Sequence, residues 1–481
     1  MTSLRTTSIP LCVDLDGSLI RSDLLLESLL LLLKRNPLYL LRLPFWLLGG
    51  KAQLKAQIAA RVSFNAAALP YTAGFLAWLK AQKQAGRALW LVTASNERLA
   101  QGVAQHLGLF DGVLASDDAT NLSGRHKAQA LMQRFGEHGF DYCGNARVDL
   151  AVWRHAHAAV VVNGSPRLQA EAGALTAVSS VFPAPPADFK TRLKTVLKAM
   201  RVHQWAKNAL ILVPAAAAHR IADPDTLLKA AQAFLAFSLC ASSVYLLNDM
   251  LDLEADREHH SKHARPFAAG TLSLLFGFAA VPLLLAAAAV IGALLSPEFL
   301  AVLAVYYLGT LLYSLRFKRE MMLDVLFLTG LYTLRVVAGA AATAIELSFW
   351  LLVFSTFIFL SLAIVKRYAE LHAMRVQGKL KASGRGYRVE DLNVLQNLGG
   401  ASGYISVLVL ALYVNSPDIA HQYSHPRLVW LAIPILLYWI SRIWMQTTRG
   451  QMHDDPLVYA IKDRISLMAG GLMMAILILA T

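Results

Sequence analysis

Two things are scarce in this chain. Only three of its 481 residues are cysteine, Cys12, Cys143 and Cys240, and none of the spacings suits a metal-ligand pair or a disulfide framework. That usage argues against a stapled extracellular scaffold and against a zinc site. Charge is scarce too. Asp, Glu, Lys and Arg make up 16% of the chain against 56% hydrophobic residues, and the mean hydropathy is +0.47, too apolar for an ordinary soluble protein. Acid is the rarer sign, so the net charge is +14. Such a balance suits nucleic acid, anionic lipid or phosphorylated substrates, and the placement of the charges has to decide. The opening "MTSLRTTSIPLCVDLDG" lacks the apolar core of a signal peptide, which leads us to expect a cytoplasmic start.

What is present falls into two halves. Residues 1–182 alternate short apolar strands with helical stretches: "IPLCVDLDG", "RALWLVTAS", "FDYCGNARVD" and "HAAVVVNG" each run into a polar turn. This pattern predicts an α/β domain with a parallel sheet whose ligands sit at the carboxyl ends of the strands. "LLLESLLLLL" (24–33) is too short to span a membrane before Lys34 and Arg35, and reads as a helix of a cap on that domain that touches the membrane. A Pro-rich stretch, "FPAPPADF", opens a linker over 183–194. Beyond it, "KTRLKTVLKAMRVHQWAKN" is basic and amphipathic, suited to a helix at a membrane interface, with an ordinary surface helix as the alternative.

From 195 to 481 the chain predicts an all-α polytopic membrane domain of about nine helices. Apolar runs of spanning length lie near 227–247, 272–295, 299–316, 322–344, 348–366, 397–415, 427–446 and 464–481, with a weaker one near 208–222. The basic residues fall in alternate loops. One holds Arg257, Lys262 and Arg265; the next Arg316, Lys318 and Arg319. The third holds Lys366, Arg367, Arg375, Lys379, Lys381, Arg385 and Arg388, and the fourth Arg449, Lys462 and Arg464. The intervening loops carry only Arg220 and Arg427. Such asymmetry predicts an inner (plasma) membrane protein with its soluble domain and active sites in the cytoplasm, and it accounts for much of the charge without nucleic acid.

At the end of one apolar run stands "YLLNDMLDLEADREHHSKHARP" (245–266), in which Asn248, Asp249, Asp252 and Asp256 follow i, i+1, i+4, i+8. On a helix the three acids share a face and would repel one another without a cation. Clustered carboxylates are what Mg²⁺ takes, usually with water and substrate phosphates. A loop in which Arg257, His259, Lys262 and Arg265 neutralise the acids is the alternative. Other helix ends offer phosphate-binding groups: Lys207 and Asn208; Tyr313, Arg316 and Lys318; Lys366 and Arg367; Tyr387; and, in "HDDPLVYAIKDR", His453, Asp454 and Asp455. Arg335 lies inside a span, where an ionisable group is expensive and needs an anionic partner, either a phosphate or Asp324. Taken singly each is weak, because Lys and Arg at helix ends commonly snorkel. Together they predict a pocket for a metal and several phosphates.

"NDMLDLEADREH" resembles the NDxxDxxxD motif of the UbiA-type intramembrane prenyltransferase superfamily. "RVHQWAKN", "LDVLFLTGLYTLRVVAGA", "VKRYAEL" and "AIKDR" are similar to its decaprenyl-phosphate phosphoribosyltransferase branch. The second DxxxD motif of aromatic prenyltransferases is absent from 367–396, which favours the phosphoribosyl branch. The resemblance implies transfer of 5-phosphoribose from phosphoribosyl pyrophosphate to a polyprenyl phosphate. It implies Mg²⁺ on Asn248, Asp249, Asp252 and Asp256, and phosphates held by the cationic helix ends, Arg265 included. An aromatic-ring prenyltransferase and a cation-binding transporter or scaffold stay as rivals, and the chain is compatible with a homo-oligomer.

"VDLDGSL" after an apolar strand resembles the haloacid dehalogenase superfamily, and the later motifs follow in order. The resemblance implies a phosphatase with a helical cap. Asp14 would be the nucleophile and Asp16 the general acid and base; Thr93 and Lys127 would bind phosphate; Asp149, with Asp14 and Asp16, would hold Mg²⁺. Asn145 stands where the family has its first acid of the last motif, which puts the strength of metal binding, and so the activity, in question. The two halves together lead us to expect dephosphorylation of the transferase product to polyprenyl-phosphoryl ribose, for envelope glycan synthesis.

Overall fold

A computed structural model of the chain describes residues 9–184, 188–259, 262–378, 386–416, 423–452 and 455–481. The expectations on Lys379, Lys381, Arg385, His453, Asp454 and residues 185–187 of the linker lie outside these residues. The chain divides into two compact units, one of Met1–Met200 with Leu246–Ala279 and one of Arg201–Tyr245 with Ala280–Thr481.

The first unit is built on a six-stranded parallel sheet in the order β3-β2-β1-β4-β5-β6. Its strands are β1 (Leu11–Val13), β2 (Leu89–Asn96), β3 (Gly112–Ser116), β4 (Asp141–Gly144), β5 (Ala158–Val162) and β6 (Ala177–Phe182). The two central apolar strands, "LCV" and "AAVVV", are buried along their whole length, as a sheet covered on both faces requires. The edge strand β6 alternates exposed with half-buried residues instead. Four strands match the sequence expectation; β3 and β6, at the two edges, were not anticipated because neither has a long apolar run.

Between β1 and β2 the chain inserts a helical cap: α1 (Leu24–Arg35), a 3₁₀ turn (Pro37–Leu41), α2 (Leu43–Leu48) and α3 (Lys51–Ala59). Asp23 caps α1, its carboxylate accepting from the Leu26 amide at 3.0 Å. The basic stretch after the linker forms the helix Phe189–Ala199, with Phe189, Leu193 and Leu197 exposed along one side. It stops earlier than expected. Arg201 adopts φ 52°, and Val202–Leu212 continues as 3₁₀ helix in the other unit.

The second unit is helical. Among the described residues of the whole chain, seven helices are long and apolar enough to cross a membrane, or eight if the pair Pro456–Lys462 and Arg464–Ala480, bent by 82°, is one span. They match the eight stronger runs in the sequence. The weaker run near 208–222 becomes the end of the 3₁₀ segment and a five-residue helix, Val213–Ala217, so the nine expected helices overcount the long ones. The 3₁₀ segment presses against the helix Leu323–Thr343 at Gly339, where a Cβ would stand 2.0 Å from the Ile211 carbonyl oxygen. Only glycine allows that approach, which sets Asn208 beside Arg335.

Candidate functional site

The carboxyl end of β1 delivers Asp14 and Asp16 to a cavity of about 1310 Å³ in the first unit. Gly17 follows with φ 77°, and a Cβ there would run into the Asn145 side chain, so the turn and its neighbour fit only with glycine. Lys127 donates to Asp14 Oδ1 at 2.7 Å and to the Tyr142 hydroxyl at 2.8 Å. Asp16 accepts from the Leu24 amide at 2.8 Å and from Ser95 at 2.8 Å, with Thr93 farther off at 3.4 Å. Asp149 accepts from the amides of Asn145 and Ala146 and from the Tyr142 hydroxyl. Asp14, Asp16, Lys127 and Asp149 therefore meet around one cavity, with Thr93 fully buried beside Asp16. Ser95 and Tyr142 join them; Ser95 lies two residues after Thr93 in "LVTAS", and nothing in the sequence marked Tyr142.

The electrostatics are those of a site with too much acid. Burial pushes Asp14 up to about 7; Lys127 pulls it down, and Asp149 and Asp16 push it further up. Burial and then Asp23 raise Asp16 to about 6, against the Leu24 amide and Ser95 hydroxyl. Burial opposes the charge on Lys127, but Asp14 and Asp149 outweigh it and hold the ammonium above its ordinary range. Among the described residues Lys127 is the lysine bonded into this group of three carboxylates, while Lys55 of the same cavity donates to the Ala94 carbonyl and to Asn121; a divalent cation would add positive charge at the acids themselves.

The acidic motif lies in the same unit. The long helix Pro224–Leu251 ends just after Asp249, and a short one, Leu253–Glu258, begins after Asp252. The expected continuous helix is thus broken at Asp252. Asp249 and Asp256 still face together. Both are buried, and one Arg265 nitrogen lies 3.1 Å from Asp249 Oδ1 and 2.6 Å from Asp256 Oδ2. The guanidinium stands where a shared cation between these acids would stand, so the donor set suits a positive ion. Asp252 instead takes Lys34 of α1 at 2.8 Å. Nearby, Arg257 makes a buried two-pronged pair with Glu27, at 2.9 and 2.7 Å. Asn248 is half-buried at the same helix end. Among the described residues no three Asp, Glu, His or Cys side chains converge on one metal position, here or around Asp14.

The second unit gathers cations. Lys207 and Lys366 both reach Asp455 Oδ2, at 2.8 and 3.0 Å, and the Tyr332 hydroxyl donates to the same carboxylate. Arg335 is buried, and its described partners are neutral: Asn208 Oδ1 at 2.9 Å, the Leu331 carbonyl at 2.5 Å and the Tyr306 hydroxyl at 2.9 Å. Asp324 is not its partner, contrary to one of the two expectations. Asp324 lies 2.5 Å from Arg367, and Tyr387 donates to it at 2.7 Å, so Arg367 and Tyr387 belong to one buried network with it. Asp455 carries more of this unit than its place in an acidic-basic tail suggested. Tyr313 and Lys318 are half-buried and Arg316 exposed, at the end of the helix Pro297–Leu315 and the turn after it.

Comparison with known proteins divides the chain by sequence, so that the acidic motif of the first unit falls with the helices of the second. Residues 209–461 match the UbiA prenyltransferase family, and residues 11–154 match the haloacid dehalogenase-like hydrolases. An uncharacterized protein of Sinorhizobium fredii, y4nM, is 38% identical over 98% of this chain and 91% of its own. A decaprenyl-phosphate phosphoribosyltransferase of Mycobacterium tuberculosis is 33% identical over 56% of this chain and 88% of its own. Among solved structures, a UbiA homolog from Archaeoglobus fulgidus bound to GPP and Mg²⁺ covers 59% of this chain and 99% of its own, with 15% identity and a TM-score of 0.46. The chain is a multi-pass membrane protein belonging to the UbiA prenyltransferase family, with a haloacid dehalogenase-like domain at its N-terminus.

Proposed function

We propose that the protein transfers 5-phosphoribose from phosphoribosyl pyrophosphate to a polyprenyl phosphate and then removes the 5-phosphate, leaving polyprenyl-phosphoryl ribose. The observation that carries this reading is the shared first unit. The acids Asp249 and Asp256 and the phosphatase residues Asp14, Asp16 and Lys127 belong to one compact body, tied by the buried Arg257–Glu27 pair. The similarity to phosphoribosyltransferases over the UbiA half supports the choice of donor. The soluble domain and both sites would face the cytoplasm, as the basic loops suggest.

In the first reaction a lipid phosphate oxygen attacks the ribose C1, and the C1–O bond to pyrophosphate breaks with its electron pair. The nucleophile is already anionic, so no strong base is needed. Lys207, Lys366 and Arg335 would hold phosphate oxygens. Within the first unit, Asp249, Asp252 and Asp256 would hold one Mg²⁺ and Asp14, Asp16 and Asp149 another; bound there, it would neutralise phosphate charge. In the second reaction the Asp14 carboxylate, whose charged form Lys127 favours, attacks phosphorus, and Asp16 protonates the leaving 5-oxygen. Water then hydrolyses the aspartyl-phosphate, and Asp16 takes up its proton.

The test is acceptor choice. Purified protein with Mg²⁺ should release pyrophosphate from phosphoribosyl pyrophosphate only when a polyprenyl phosphate is added. Prenylation of 4-hydroxybenzoate from a prenyl diphosphate, with no such release, would reject the reading.

A further inference from the structure

The cap holds a second cavity, of about 400 Å³, whose lining is entirely leucine, isoleucine and proline. Leu29 of α1, Leu43 and Leu47 of α2 and Leu54 of α3 form its walls. It adjoins the catalytic cavity: Leu25 and Leu26 of α1 line both. The third cap helix has the same double role: α3 presents Leu54 to the groove and Lys55 to the cavity of Asp14 and Asp16. Lys55 is fixed there by Asn121 Oδ1 at 2.6 Å.

The outer rim is also apolar. Phe45 is 70% exposed and Leu48 85%, beside exposed Leu38 and Leu41, and the exposed cations Arg35, Arg42 and Lys51 flank them. An apolar patch bordered by Lys and Arg suits the surface of an anionic membrane. A cap that closed only on a small soluble phosphate would gain nothing from an apolar groove next to the cavity that holds its acids. The order acid, lysine, leucine is instead the polarity of a lipid: phosphate at Asp14, tail over α1.

We propose that this groove holds the first few isoprene units of the phosphatase substrate, so that the hydrolase selects a sugar phosphate carried on a polyprenyl phosphate over soluble phosphate esters. This rests on the reading that the Asp14 site hydrolyses a lipid-linked phosphate, and adds where the tail binds. The groove holds only the near end of the chain, and the rest stays in the leaflet from which the lipid arrives.

The test uses the full-length protein in detergent with two substrates, farnesyl-phosphoryl 5-phosphoribose and ribose 5-phosphate. Wild type should show a KM for the farnesyl compound at least about tenfold lower. The double variant Leu43→Ser, Leu47→Ser should raise that KM about tenfold and leave KM for ribose 5-phosphate and both kcat values unchanged. Equal wild-type KM values, or variant KM values that stay put or rise together, would overturn the groove. A benzophenone-tailed isoprenyl phosphate gives a readout independent of turnover and of the variant's folding. Crosslinks within residues 25–58 that excess farnesyl phosphate blocks support the proposal. Crosslinks confined to the membrane-spanning helices, or blocked equally by a diacyl phosphatidic acid, overturn it. Hydrolysis of the lipid without any dependence on its tail would sink the groove and leave the phosphatase reading standing. Crosslinking to the cap without hydrolysis of the lipid would do the reverse.

Discussion

The two units each bury a carboxylate against lysine, and they strike opposite balances. Around Asp14, Lys127 is bonded into a group of three carboxylates, Asp14, Asp16 and Asp149, with Lys55 farther along the same cavity. Around Asp455, among the described residues, one carboxylate is bonded to both Lys207 and Lys366, with Arg335 buried among neutral described partners. An isolated buried charge costs far more than a paired one, so a surplus of one sign is kept only where a ligand supplies the other. Directly around Asp14 the acids outnumber the lysine bonded to them, as they would at a place for a metal ion, while Arg21, Lys55, Arg192 and Lys198 line the wider cavity, as they would at a place for a phosphate. The second is short of negative charge, as a bare phosphate clamp would be. The acidic motif is intermediate, because Arg265 already bridges Asp249 and Asp256.

That comparison can be broken by removing either surplus. The largest effect is expected from Asp249→Asn. It leaves Arg265 with one carboxylate of its pair, and it should cut pyrophosphate release about a hundredfold or more at limiting Mg²⁺. Hydrolysis of ribose 5-phosphate should be unaffected, and equal loss of both activities would mean that the change acts on folding. Arg335→Leu should come next. Removing a buried cation with no carboxylate among its described partners should raise KM for phosphoribosyl pyrophosphate about tenfold, with little change in melting temperature. An unchanged KM would make Arg335 a structural residue.

A third prediction turns on the acid surplus itself. Folded Asp14 and Asp16 titrate near 7 and 6, above their ordinary value of 3.8. A carboxyl whose folded pKa is raised contributes stability that is fully present below the unfolded pKa and lost as pH rises through the folded one. Metal-free protein should therefore show a lower melting temperature for the N-terminal unit at pH 8 than at pH 5, and Mg²⁺ should raise the pH 8 value more than the pH 5 value. Equal Mg²⁺ effects at the two pH values would argue against a cation at these acids. The smallest effect belongs to Lys34→Ala. Its pair with Asp252 is about one-third exposed on both sides, so transferase activity should change by less than about threefold.

Much of this was legible in the sequence, for physical reasons. Strands covered on both faces give unbroken apolar runs, which is why "LCV" and "AAVVV" stood out and the edge strands β3 and β6 did not. Asp14, Asp16, Lys127 and Asp149 of the motifs line one cavity, because each follows a strand or opens a helix in a parallel sheet. Partners across the fold were not legible. Lys34 on Asp252 and Glu27 on Arg257 join residues more than two hundred positions apart, and no local pattern announces them. Asp455 was hidden for the same reason: "HDDPLVYAIKDR" offered it as one of several groups of a phosphate pocket, whereas it is the buried hub of two lysines distant in sequence.

The central claim is that the two chemistries act in series on one lipid, and a single comparison tests it most directly. Wild type and Asp14→Asn, each purified and supplied with phosphoribosyl pyrophosphate, a polyprenyl phosphate and Mg²⁺, are compared by mass spectrometry of the extracted lipid. Asparagine is a poor nucleophile at phosphorus, so the variant should keep the transferase and lose the phosphatase. The account predicts polyprenyl-phosphoryl ribose from wild type and a lipid heavier by one phosphate from the variant. The same phosphorylated lipid from both proteins, or no ribosylated lipid from either, would contradict it.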